Sequence, residues 1–101
     1  MKQASKASAA PAAANELSLR MARSRGDEYD KLLAEGRRYA SKQNYRKSAK
    51  KYHDAIAVRP DRPTAYFNLG GVLYKSGLCA EAAQLFHRGH AARTRRLREV
   101  G

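Results

Sequence analysis

The stretch RPDRPTAYFNLGGVLYKSG, residues 59–77, joins a proline-containing turn directly to an apolar helical pattern. A proline cannot continue a helix interior, because it lacks an amide hydrogen and its ring clashes with the preceding turn. Pro63 suits the first turn of a helix, where a missing amide hydrogen does no harm. One face of that helix carries Tyr66, Leu69, Gly70, Leu73 and Tyr74. The stretch therefore predicts a turn and then a helix with glycine on its packing face.

Two helical patterns precede this turn. The first begins after Asp27, a suitable N-cap residue, and its apolar side carries Leu32, Leu33, Gly36, Tyr39 and Ala40. The sequence SKQNY ends it, with Asn44 as the residue that tolerates a left-handed turn. The second pattern runs over residues 45–58, and one face carries Ser48, Ala49, Tyr52, Ala55 and Ile56.

A further helical pattern follows the turn at Ser76 and Gly77. It starts near Leu78, and its apolar face carries Cys79, Ala82, Ala83 and Phe86. We expect Cys79 to be buried and unreactive, and we expect this helix to run on through HAARTRRLREV. No segment alternates apolar and polar residues as a strand would. The chain therefore predicts an all-α fold of two helix–turn–helix units.

The two units repeat each other. A shift of 34 residues places Gly36 on Gly70, Ala49 on Ala83, His53 on His87, Ala57 on Ala91, Arg59 on Arg93 and Arg62 on Arg96. The same shift places Leu32 on Tyr66, Tyr39 on Leu73, Ser48 on Ala82 and Tyr52 on Phe86. Small residues recur where paired helices would cross closely, and bulky residues recur beside them. A helix pair with this period indicates a repeat architecture.

This pattern resembles the tetratricopeptide repeat (TPR) family, whose repeats combine aromatic-x2-Leu-Gly-x2-Tyr with a later Ala-x3-Phe and a proline. The second copy reads Tyr66-x2-Leu69-Gly70-x2-Leu73 and then Ala82-x3-Phe86. The first reads Leu32-x2-Glu35-Gly36-x2-Tyr39 and then Ser48-x3-Tyr52, with Pro60 in the proline position. The resemblance implies a short α-solenoid of two repeats, residues 29–62 and 63–96, followed by a basic end at 97–101.

Residues 1–28 lie outside these repeats. We expect residues 1–28 to form a flexible Ala/Ser/Lys-rich tail, because residues 1–14, MKQASKASAAPAAA, contain no large apolar residue after Met1. The stretch LSLRMARSR also fits an organelle transit peptide, and that alternative stays open. Glu35 replaces the expected leucine, which a first repeat tolerates because no repeat packs before it.

The resemblance also implies a function. TPR proteins hold a peptide segment or a partner helix in a groove lined by the first helix of each repeat. In this sequence the groove would be formed by Leu33, Arg37, Ala40, Ser41, Thr64, Phe67, Asn68, Gly71, Tyr74 and Lys75. An arginine and a lysine beside two aromatic residues suit a ligand with a carboxylate or acidic side chain and an apolar anchor. The resemblance thus implies a protein-binding adaptor or scaffold.

Several alternatives to this adaptor remain. The net charge of +12 and the basic residues Arg46, Lys47, Lys50, Lys51, Arg93, Arg95, Arg96 and Arg98 suit RNA or ribosome binding. A chaperone co-factor is a lesser alternative, since only Asn68 matches the family's carboxylate clamp. Two repeats bury little apolar surface, and about three repeats are normally needed for a stable fold. The chain is therefore expected to self-associate, to need a partner, or to be a fragment of a longer TPR protein.

An enzyme is the function class that the sequence favours least. Its histidines are His53, His87 and His90, and neither a carboxylate nor Cys79 stands at a metal-ligand spacing from them. No phosphate-binding glycine loop is expected, because NLGG falls inside a helix. We therefore predict no catalytic residue, no metal and no cofactor. A single cysteine fits a reducing compartment such as the cytoplasm, with the nucleus or an organelle still open, and no apolar run reaches the length of a membrane span.

Overall fold

A computed structural model of the chain describes the backbone of residues 2–100 and the side chains of residues 16–98. This part of the chain forms four helices: α1 (Lys2–Ser41), α2 (Tyr45–Val58), α3 (Pro63–Lys75) and α4 (Cys79–Val100). No strand occurs among these residues. Successive helices pack against one another, α1 on α2, α2 on α3 and α3 on α4. The predicted all-α solenoid of two helix–turn–helix units, with an extended last helix, is confirmed.

The first helix is longer than the sequence pattern predicts. It begins at Lys2, so the prediction of a helix that starts after Asp27 is wrong. Residues 16–25 consist largely of Leu, Arg, Met and Ala, which favour helix, and no break separates them from the packed part. They are exposed, and Tyr29 is the first buried residue of α1 among its described side chains. Of the predicted tail, residues 1–28, the side chains of residues 1–15 lie outside the described residues.

The turn between α1 and α2 uses different residues from those expected. Gln43 has a φ of 61°, whereas Asn44 has a φ of −88°, so the prediction of Asn44 as the left-handed residue is wrong. Asn44 serves instead as the N-cap of α2, and its side-chain oxygen accepts a hydrogen bond from the Lys47 amide at 3.4 Å. Asparagine is a favoured N-cap because its oxygen satisfies an amide that the first helical turn leaves without a partner.

The ends of α3 follow the sequence signals. Pro63 stands in the first turn, as predicted. At the other end Gly77 has a φ of +88°, and its amide donates to the Tyr74 carbonyl at 3.0 Å. The Leu78 amide donates to the Leu73 carbonyl at 2.9 Å, which completes a Schellman motif. Glycine is favoured in this conformation because it has no Cβ to clash.

Each helical hairpin closes through an aromatic ring seated on a glycine. A Cβ added at Gly36 would overlap the Tyr52 ring, and one added at Gly70 would lie 2.7 Å from Cε1 of Phe86. The two glycines and the two rings are related by the 34-residue shift, so the internal repeat is present in the packing. In the first hairpin the buried Ser48 hydroxyl also donates to the Gly36 carbonyl at 2.7 Å.

The core lies between the helices, and the sequence pattern identified part of it. The buried apolar residues are Tyr29, Leu33, Tyr52, Ala55, Ala65, Tyr66, Leu69, Val72, Leu73, Ala82, Leu85 and Ala92. The prediction that Cys79 is buried is wrong, because this residue is exposed in the first turn of α4. Tyr74 and Phe86, also assigned to packing faces, remain 63% and 39% exposed.

Alanine at Gly36 tests the ring contact. Because Tyr52 is 2% exposed, its ring cannot move aside, and we expect Gly36→Ala to lower the free energy of unfolding by about 1–3 kcal/mol. The matched control is Gly71→Ala, since nothing lies within 4 Å of a Cβ there. Alanine at this open helical position should raise stability by about 0.5–1 kcal/mol. Urea unfolding followed by circular dichroism measures both, and equal effects of the two variants would contradict the proposed role of the contact.

Candidate functional site

The predicted groove depends on α1 and α3 lying beside each other, and a tyrosine joins them. The Tyr29 hydroxyl accepts a hydrogen bond from the Ala65 amide at 3.1 Å. Ala65 stands in the first turn of α3, where Arg62 is the N-cap residue but makes no side-chain capping bond. Tyr29 of the first hairpin therefore satisfies an amide that α3 would otherwise leave unpaired.

Tyr29 is almost completely buried, with 2% of its surface exposed. Burial raises the pKa of its phenol above the ordinary value, and the hydrogen bond from Ala65 lowers it by a smaller amount. The Arg62 guanidinium lies over the Tyr29 ring, 5.8 Å from its centroid. The Arg62 Nε is buried, and it has no hydrogen-bond partner among the described residues. These contacts hold the neutral phenol in place between the two hairpins.

The turn between α2 and α3 is fixed by polar contacts from both sides. The Arg59 Nε donates to Asp61 at 3.2 Å, and an Arg96 nitrogen of α4 lies 3.7 Å from the same carboxylate. The hydrogen bond from Arg59 holds the pKa of Asp61 below its ordinary value. The Tyr66 hydroxyl donates to the Pro60 carbonyl at 2.7 Å. The turn therefore has a fixed position relative to α3 and α4.

The groove residues predicted on α3 form a partly exposed strip. Thr64, Tyr74 and Lys75 are exposed, whereas Phe67, Asn68 and Gly71 are half-buried. Phe67 also packs within the second hairpin, because a Cβ added at Gly89 would lie 2.8 Å from its ring. Phe67 thus has a structural role whether or not it contacts a ligand.

The groove residues predicted on α1 divide into two groups. Arg37 and Ser41 are exposed, and Ala40 is half-buried. Leu33 is only 6% exposed and belongs to the core. A bound peptide cannot reach a side chain buried to this degree, so the assignment of Leu33 to the groove surface is corrected. On α1, solvent therefore reaches Arg37, Ser41 and part of Ala40, and on α3 it reaches the predicted strip.

The predicted basic face of α2 is partly neutralised. Lys50 pairs with Asp54 at 3.2 Å, and Lys51 pairs with Glu35 of α1 at 3.3 Å. Lys47 lies over the Tyr39 ring, 5.7 Å from its centroid, while Arg46 is exposed. The pair with Lys51 also gives a reason for glutamate at position 35, because its side chain is only 24% exposed.

The basic residues predicted on α4 form fewer ion pairs than those on α2. Arg93, Arg95 and Arg98 are exposed, and Arg96 is half-buried beside Asp61.

Among the described side chains, no group of three or more His, Cys, Asp or Glu residues lies close enough to hold a metal ion. None of the helices, over the residues searched, has the length and apolar content needed to cross a membrane.

Comparison with known protein families gave a match over the middle of the chain. Residues 36–77 match the TPR repeat family. The matched segment starts at Gly36, includes all of α2 and α3, and ends at Gly77. Residues 36–77 therefore resemble a tetratricopeptide repeat, as the spacing predicts, and repeats of this family are protein–protein interaction modules. Searches of curated proteins and of solved structures gave no match.

Tyr29→Phe tests the bond between the two hairpins. The variant keeps the ring but leaves the Ala65 amide without its acceptor, and an unpaired buried amide costs about 1–3 kcal/mol. We expect a corresponding loss in the free energy of unfolding. Tyr74→Phe is the matched control, because Tyr74 is 63% exposed and should change stability little. Equal stabilities of both variants and the wild type would contradict this role of Tyr29.

The raised pKa of Tyr29 gives a second measurement. A phenol whose pKa is raised by folding contributes its stability below the ordinary value of 10.0 and loses that contribution as the pH rises above it. The free energy of unfolding of the wild type should therefore fall more steeply above about pH 10 than that of Tyr29→Phe. Parallel profiles for the two proteins would show that Tyr29 is not responsible.

Proposed function

We propose that this protein is a non-catalytic adaptor, and that it binds an extended segment of another protein along the exposed strip of α3 and the neighbouring side of α1. The proposal treats residues 29–62 and 63–96 as its two repeats. The observation that carries it is the strip itself: Thr64, Tyr74 and Lys75 are exposed on a helix whose other faces are packed. The Tyr29–Ala65 bond supports it, because it ties α1 to the first turn of this helix.

The chemistry of the strip favours an acidic ligand with an apolar anchor. Lys75 and Arg37 are exposed cations, and Tyr74 adds a large exposed ring next to Lys75. A carboxylate gains charge-assisted hydrogen bonds from such cations, and an aromatic side chain supplies contact area. The net charge of +12 would also raise the rate at which an acidic segment arrives. The proposed ligand is therefore a peptide with a free carboxylate or acidic side chains next to an apolar residue.

A second candidate function is binding to RNA through α4. The exposed side chains of Arg93, Arg95 and Arg98 favour it, because arginines on a solvated helix face attract phosphate. The α2 face supports this less, since Lys50 and Lys51 already pair with carboxylates. Groove binding and phosphate binding thus use different residues of the chain.

Peptide titrations test the groove. Fluorescein-labelled ten-residue peptides, each with one apolar residue near an acidic C-terminus, would be prepared with a free carboxylate and with an amide. We expect fluorescence anisotropy to show tighter binding of the carboxylate form, by about tenfold, or roughly 1.4 kcal/mol, for each charge-assisted hydrogen bond that the amide form cannot make. Arg37→Ala/Lys75→Ala should remove most of this preference.

The matched control is Arg46→Ala/Lys50→Ala, which removes the same charge from the outer face of α2. Equal losses in the two double variants would mean that net charge attracts the peptide, and the groove proposal would fail. A 20-nucleotide oligouridylate serves as the competing probe. Strong RNA binding that falls steeply with salt and is lost in Arg93→Ala/Arg95→Ala/Arg98→Ala would favour the second candidate.

A further inference from the structure

Three glycines of the described helices each contact an aromatic ring. At each of them an added Cβ would come closer to the ring than packed atoms can lie. The absence of a side chain lets the flat ring lie against the backbone of the helix. The pairs are Gly36 with Tyr52, Gly70 with Phe86 and Gly89 with Phe67. Glycine at these positions is therefore explained by a ring that the chain itself supplies.

Gly71 has no such ring. It is half-buried in α3, yet no described atom lies within 4 Å of a Cβ placed there. Its φ lies outside the left-handed region, whereas Gly77 has a φ of +88°. Inside a helix glycine is less stable than alanine, because it loses more conformational freedom on folding. Neither the backbone conformation nor packing within the described chain therefore accounts for glycine at position 71.

Aromatic and polar side chains of the exposed α3 strip surround Gly71. Phe67 lies four residues before it and Tyr74 three residues after it, while Asn68 and Lys75 are its neighbours on the other side. Residues three and four apart are neighbours on a helix surface. Phe67 and Asn68 are half-buried, and Tyr74 and Lys75 are exposed. Gly71 is therefore an open position between two rings and two hydrogen-bonding groups.

We propose that Gly71 receives an aromatic side chain of the bound peptide, so that the apolar anchor of the ligand is Phe, Tyr or Trp. The ring belongs to the acidic peptide of the proposed function, on which this proposal rests. It lies on the open backbone of α3 in the way that the chain's own rings lie on its other glycines. Phe67 and Tyr74 favour an aromatic occupant over an aliphatic one, because aromatic pairs gain energy beyond the area that they bury. Lys75, one turn further along α3, then meets the adjoining carboxylate.

Gly26 is the matched control position. It lies in α1, outside both repeats, and again no described atom lies within 4 Å of an added Cβ. The aromatic residue three positions after it, Tyr29, is buried, so no ring of the α3 strip adjoins Gly26. A leucine at position 26 or 71 enters open space, and leucine is a good helix former. Neither Gly26→Leu nor Gly71→Leu should therefore unfold the chain, and circular dichroism verifies this.

Fluorescein-labelled peptides of six residues, with an acidic residue, a free C-terminal carboxylate and one variable anchor, test the proposal by fluorescence anisotropy on the full chain. The anchors are phenylalanine, its saturated analogue cyclohexylalanine, and alanine. We expect wild type to bind the phenylalanine peptide more tightly than the cyclohexylalanine peptide by about threefold or more, since only the former ring is aromatic.

The two leucine variants test the position of the ring. Gly71→Leu should weaken binding of the phenylalanine peptide by about tenfold and change binding of the alanine peptide little, because the new side chain clashes with the ring alone. Gly26→Leu should bind each peptide as the wild type does.

A tryptophan anchor gives a second readout. The protein contains no tryptophan, so the emission of an unlabelled tryptophan peptide reports on the anchor alone. At saturating protein the emission should shift to shorter wavelength with wild type and with Gly26→Leu, and shift less with Gly71→Leu, because the ring is then left in water.

The possible outcomes separate this proposal from the groove itself. Equal binding of the phenylalanine and cyclohexylalanine peptides, or equal effects of Gly71→Leu and Gly26→Leu, would overturn the aromatic contact at Gly71. The groove would still stand if Arg37→Ala/Lys75→Ala removed the preference for a free carboxylate. Failure of every peptide to bind the wild type would overturn both proposals.

Discussion

The seating of an aromatic ring on a glycine is the contact on which the helical array depends. A helix pair can approach this closely only where one helix has no Cβ in the way. Gly36 and Gly70 provide that space, and Tyr52 and Phe86 fill it. The Ser48 hydroxyl strengthens the first contact by donating to the Gly36 carbonyl, which satisfies a polar group inside the hairpin. Once each hairpin has this form, the remaining apolar residues have a defined surface to cover.

The junction between hairpins uses a different kind of interaction. Tyr29 supplies a hydroxyl to the first turn of α3, and Asp61 connects Arg59 in the turn with Arg96 of α4. The apolar contacts between α2 and α3 leave polar atoms of these elements without hydrogen-bond partners. The long side chains of neighbouring helices supply those partners. Such bonds fix the orientation of the second hairpin relative to the first. The proposed groove depends on that orientation because its two sides come from different hairpins.

The sequence was sufficient to predict most of the fold because its signals are local. The proline turn, the glycine at residue 77 and the 3.6-residue period each act within a few residues, and α2, α3 and α4 begin and end close to where these signals place them. Tyr29 was missed because its partner Ala65 lies far away in the sequence. In the candidate site, the exposed strip of α3 was predicted, but Leu33 is buried, and Cys79, assigned to the core, is exposed. Periodicity and family resemblance specify a position on a helix face, whereas only packing decides what covers it.

The small size of the array makes its stability sensitive to any partner that binds the folded state. Two repeats bury less apolar area per residue than a longer stack, so the folded state gains comparatively much from any partner that binds it and not the unfolded chain. A peptide along α3 would act in this way, and the charge of +12 favours an acidic one. Such a peptide would bind most readily at low ionic strength, where the attraction between the opposite charges is least screened. The charged residues on the helix surfaces would then set the affinity for the peptide, while the glycine-seated rings hold the helices of each hairpin together.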